Sequence, residues 1–137
     1  MIRALALLLG AATVVATVDL AHKALAISER GSAVFTHERP GSYAVGLAAL
    51  SLAWVGAIAF VRSTAIAFPA GLVLGGAIGN LVSIALWPSL PGVPDPIVAG
   101  EIAFNLADVS AVLGLALLVP AILLFAVRNR ERLFEPF

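Results

Sequence analysis

The chain has 137 residues and no cysteine, with 61% hydrophobic residues, 12% charged residues and a mean hydropathy of +1.07. A soluble domain carries about a quarter charged residues, so an ordinary water-soluble fold is excluded, as are disulfides, thiolate metal sites and cysteine nucleophiles. Eight Lys and Arg balance eight Asp and Glu, which argues against electrostatic nucleic-acid binding. Between positions 40 and 127 only Arg62, Asp95, Glu101 and Asp108 are charged. The length fits one membrane domain over 1–137.

A helix needs about 20 apolar residues to cross the hydrocarbon core. Four stretches meet that requirement: 4–27, 43–61, 64–87 and 104–127. The expected fold class is therefore all-α, a polytopic membrane protein with four transmembrane helices. The first stretch has features of a cleaved signal peptide, with Arg3 ahead of an apolar run and small residues around Ala24-Leu25-Ala26. A signal core would not run on through Asp19, His22 and Lys23, so the stretch reads as a retained helix. Those three residues share one helical face. Two readings of the trio stay open: an Asp19–Lys23 pair that neutralises itself near the outer interface, or a functional group of an intramembrane site. One His and one Asp are too few ligands for a typical metal site.

The turn Arg62-Ser63 makes the second and third spans an antiparallel hairpin. The third span carries Gly71, Gly75, Gly79 and Ser83 at every fourth position, a spacing that lets membrane helices approach closely. Asn80 shares a face with Gly76 and needs a partner from another helix, because an unpaired amide is expensive in lipid. Positions 88–103 read as a loop, in which Asp95 stands between Pro94 and Pro96, two residues that stiffen it. The fourth span opens on Phe104-Asn105-Leu106-Ala107-Asp108, with Asn105 and Asp108 on one face. A carboxylate at a helix start is favoured by the macrodipole, which accounts for the charge of Asp108 and not for its burial.

Lys and Arg placement sets orientation. Arg3, Arg62, Arg128, Arg130 and Arg132 gather on one side, whereas 88–103 contains neither residue type and Arg30 and Arg39 each adjoin a glutamate. Both termini are expected in the cytoplasm, with 29–42 and 88–103 on the outer side. That places Asp95 and Asp108 together near the outer interface. Two converging carboxylates can run acid–base hydrolysis, one keeping a proton while the other accepts one from water. Asp108, inside a helix, is expected to be the more buried of the two and to hold the shared proton.

Gly75-Gly-Ala-Ile-Gly-Asn80-Leu followed by Phe104-Asn-Leu-Ala-Asp108 resembles the lipoprotein signal peptidase (signal peptidase II) family of four-helix membrane aspartic peptidases. Asp19-Leu-Ala-His-Lys23 is similar to that family's Asp-x-x-x-Lys, and Gly92-Val-Pro-Asp95-Pro-Ile97 to its Val-x-Asp-Phe-Ile. The resemblance implies Asp95 and Asp108 as the catalytic dyad, Asn80 and Asn105 as polar supports, and Asp19 with Lys23 as a wall of the site. It implies a multi-pass protein of the bacterial plasma (inner) membrane. Its partners would be membrane lipid and, as substrate, a lipid-modified precursor peptide, with no nucleic acid, metal or organic cofactor. The chain departs from the family at Ser83-Ile84, where the family has Asp-Arg, and at His37-Glu-Arg-Pro-Gly-Ser42, where it has an Asn-x-Gly-Ala-Ala-Phe segment. A non-catalytic member that binds a lipidated peptide or a membrane partner is the alternative function. A plain structural subunit would explain the glycines but not Asn80, Asn105 and Asp108.

Overall fold

A computed structural model describes residues 2–39, 42–61 and 63–130. Arg62 and Arg132, two of the charges behind the expected orientation, lie outside the described residues. The fold is mostly helical: α1 is Ile2–Arg30, α2 Tyr43–Val61, α3 Thr64–Leu86 and α4 Leu106–Arg128. Each helix begins and ends within three residues of an expected span. Among the described residues, three helices are long and apolar enough to cross a membrane, those of α1, α3 and α4; the apolar stretch described for α2, Tyr43–Gly56, is shorter.

Helix α3 is the centre, with α1 and α4 packed along it and α2 packed on it more lightly. The buried positions of α1 (Ala4, Leu8, Ala12, Ala16, Asp19, Lys23 and Ala26) recur every three or four residues and so form one stripe. Glycines of α3 face that stripe. A methyl group on Gly75 would stand 2.7 Å from the Ala12 carbonyl oxygen, and one on Gly79 would stand 2.7 Å from Asp19 Oδ2. Gly76 is turned the other way, where a methyl would lie 2.5 Å from the Ala107 carbonyl oxygen on α4. The ladder of small residues thus seats two helices, one on each edge. Gly79→Ala is expected to destabilise the protein by about 1–3 kcal/mol, the usual range for overpacking. Thermal unfolding in micelles measures it, and an unchanged midpoint would mean that α1 and α3 are less closely apposed than described.

The outward face of α4 leaves Val112, Leu115, Val119, Leu123 and Val127 exposed. An apolar face of that extent is unfavourable in water and ordinary in lipid. The chain is a membrane protein.

The segments joining the helices on the site side hold short strands, which corrects the purely helical expectation. β1 (Thr36–His37) pairs antiparallel with β2 (Val93–Pro94), and β3 (Ile97–Ala99) pairs with β4 (Ile102–Phe104). The second pair is a hairpin: two β-prone runs flank Gly100-Glu101, and Gly100 takes φ 64°, a conformation glycine adopts without penalty. Pro94 and Pro96 have no N–H to give a ladder, which fits strands this short.

Candidate active site

The start of α4 organises the site. The first N–H groups of a helix lack partners inside it. Here Asn105, the residue before the helix, accepts the Asp108 N–H on Oδ1 at 3.0 Å, and Asp108 Oδ2 accepts the Asn105 N–H at 3.2 Å. This reciprocal pair is a capping box. The Ala107 N–H donates at 2.9 Å to Asp19 Oδ1, a side chain of α1. Helix α1 therefore completes the cap of α4.

Asp19 Oδ2 lies 2.7 Å from Lys23 Nζ, and both side chains are fully buried. The ammonium also donates to Asn80 Oδ1 at 2.8 Å. That contact fixes the orientation of the amide and leaves Asn80 Nδ2 to donate to Asp108 Oδ1 at 3.3 Å. Asp19 and Lys23 do more than neutralise one another, since they tie α1 to the amide that orients Asp108. His22 stands apart from them, half-buried, its Nδ1 without a hydrogen-bond partner among the described residues.

Asp95 is held by backbone pairing. Its N–H donates to the Phe35 carbonyl at 2.8 Å, and Arg30 Nη1 donates to the Pro96 carbonyl at 3.0 Å. Its carboxylate is closed in on both oxygens, Oδ1 by Asn105 Nδ2 and Oδ2 by His37 Nδ1. Asn105 Nδ2 also donates to the Pro94 carbonyl at 3.4 Å. Asn105 is thus bonded to both aspartates, and the two residues that the sequence separates by a loop meet around it.

Asn80 and Asn105 are buried, 6% and 0% exposed, and both are hydrogen-bonded as expected. The expected burial order of the aspartates is reversed: Asp95 is 1% exposed, whereas Asp108 is only partly buried. The strands and Pro94 and Pro96 cover Asp95. Asp108 instead borders an apolar groove of about 520 Å³, lined by Ile102, Phe104, Val109, Val112, Leu113 and Ala116, in which it is the only ionisable residue among the described residues. His37 is the contact that the sequence did not reveal. It precedes Asp95 by 58 positions and arrives through the β1–β2 pairing, which sets it opposite Val93. Ser83 Oγ donates to its own helix, to the Asn80 carbonyl at 2.8 Å, so its hydroxyl is satisfied locally.

No curated protein and no solved structure matches the chain. The family model for signal peptidase (SPase) II matches residues 22–124, a stretch that contains Lys23, Asn80, Asp95, Asn105 and Asp108 and about three quarters of the chain. With that match added to the membrane helices and the polar cluster, the chain belongs to the signal peptidase II family, whose proteases process lipoproteins.

Proposed function

We propose that this protein is an intramembrane aspartic endopeptidase that removes signal peptides from lipid-modified prolipoproteins, with Asp95 and Asp108 as the catalytic pair. One observation carries the reading: a single buried residue, Asn105, donates its side-chain amide to the Asp95 carboxylate and its backbone N–H to the Asp108 carboxylate, an arrangement that a helix cap alone does not need. Asp95 acts first as base. Both of its oxygens are held by side-chain partners, His37 and Asn105, whereas Asp108 receives its donors at 3.2 and 3.3 Å, long for bonds to a carboxylate. Asp95 takes a proton from water as the water oxygen bonds to the scissile carbonyl carbon, and Asp108 gives its proton to the carbonyl oxygen. On collapse the C–N bond breaks, the Asp95 proton passes to the leaving nitrogen, and Asp108 recovers one from the diol. The apolar groove beside Asp108 suits a segment that enters sideways from the bilayer.

The same reading has four transmembrane helices in one membrane domain, both termini cytoplasmic, in the bacterial inner membrane. Reporter fusions after Arg132 and at Ser63 are expected to score cytoplasmic, and fusions at Gly92 external. An external C-terminus would place the aspartates on the wrong side and sink it.

Activity is tested with purified protein in micelles and a diacylglyceryl-modified precursor; shortening of the precursor is the expected result. Ser83-Ile84 favours a second reading, because a locally bonded hydroxyl and an apolar side chain stand where the family has a charged pair. A protein that only binds would retain the precursor and leave it whole at any concentration.

A further inference from the structure

We propose that His37 is a positioning residue of the dyad: its Nδ1–H holds Asp95 Oδ2 and fixes Asp95 as the member that accepts the proton of water. The inference rests on the peptidase reading and deepens it. Asp95 is 1% exposed, while the His37 side chain is 47% exposed. Among the described residues only His37 and Asn105 hydrogen-bond the Asp95 carboxylate. The nearby cations are engaged elsewhere: Arg30 reaches the Pro96 carbonyl, Arg39 lies 5.2 Å over the Tyr43 ring, and Lys23 bonds Asp19 and Asn80.

A carboxylate held on one oxygen can still swing about its last torsion. Held on both oxygens, it presents a fixed edge to a reacting water, and misplacing a catalytic group by about 1 Å can cost 10²-fold. The direction of the bond follows from its neighbours. Asn105 Nδ2 already donates to Oδ1, and an ionised Asp95 has no proton to offer, so the imidazole nitrogen facing it must be the donor. The backbone enforces the placement, since β1 and β2 pair His37 with Val93, and a side chain at Gly92 would run into the His37 carbonyl. The ring is therefore brought to Asp95 by the chain's path rather than by its own reach.

The contact is tested by the tautomer of the ring. The chain has two histidines, so ¹⁵N-histidine labelling with a His22→Gln control assigns the signals. At about pH 8.5, where an ordinary imidazole is neutral, His37 is expected to be protonated at Nδ1 in the wild type. In Asp95→Asn the new amide can donate, so the proton is expected to move to Nε2. The same tautomer in both proteins would overturn the proposal, whether or not the enzyme cleaves. Kinetics supply the second reading: His37→Leu is expected to lower kcat about 10-fold or more with KM unchanged. His37→Asn, which puts an amide donor where Nδ1 stood, is expected to restore kcat to within about 3-fold of the wild type. An equal loss in both variants, or a rise in KM at constant kcat, would overturn it. A wild type that cleaves nothing while the tautomer still switches would overturn the peptidase reading and leave the His37–Asp95 contact standing.

Discussion

Asp95→Asn and Asp108→Asn are each expected to lower cleavage of a lipidated precursor by about 10²–10⁴-fold, the span that general acid–base groups contribute. An amide neither takes the proton of water nor delivers one to the carbonyl oxygen. The two variants should differ in stability. At position 95 the new amide keeps its oxygen toward Asn105 and turns its NH₂ toward His37, whose ring can switch from donor to acceptor. At position 108 no such adjustment exists: Asn80 Nδ2 and the Asn105 N–H are both donors, and Asn80 cannot flip while Lys23 holds its oxygen. One bond must be lost, at a cost of about 1–3 kcal/mol for a donor left unsatisfied. Asp95→Asn should therefore unfold near the wild-type temperature and Asp108→Asn below it, as followed by thermal unfolding in micelles. The reverse order would mean that the capping box is not formed as described.

Asp19→Ala is expected to be the most damaging single change to stability, at about 3–5 kcal/mol, because it leaves a buried ammonium without its partner. It also removes the acceptor of the Ala107 N–H. Asp19→Asn keeps an acceptor and loses only the charge, so it should be milder in the cap and still costly at Lys23. The double variant Asp19→Leu, Lys23→Met removes both charges and should recover part of the loss, since well-packed apolar side chains often replace a buried pair at little cost. Unfolding midpoints of the three proteins decide it. A double variant as unstable as Asp19→Ala would show that the ion pair is not what the single change breaks.

How much was legible in the sequence follows from the range of each interaction. The helices were readable because membrane spans are written in local composition, and their ends came within three residues. The need of Asn80 and Asn105 for partners was readable because lipid offers none. Which partners they find was not, and neither was the cap that Asp19 places on Ala107 from 88 positions away. The strands were missed although Ile97-Val-Ala and Ile102-Ala-Phe flank Gly-Glu, a recognisable hairpin pattern that the neighbouring prolines obscure. His37 depends on the other missed pairing, that of β1 with β2, which no local pattern announces. The burial order of the aspartates failed for the same reason: a loop aspartate is solvated unless strands fold over it, and a helical one is covered unless it borders a groove.

Asn105 has a consequence in time as well as in space. Helix ends open and close locally far more often than the whole molecule unfolds. When the first turn of α4 frays, the Asn105 N–H and Oδ1 release Asp108, and the same movement draws its Nδ2 away from Asp95. The two carboxylates therefore disengage in one event. Hydrogen exchange at the Ala107 and Asp108 amides counts those events, and a precursor lying along the turn should slow it at both positions together.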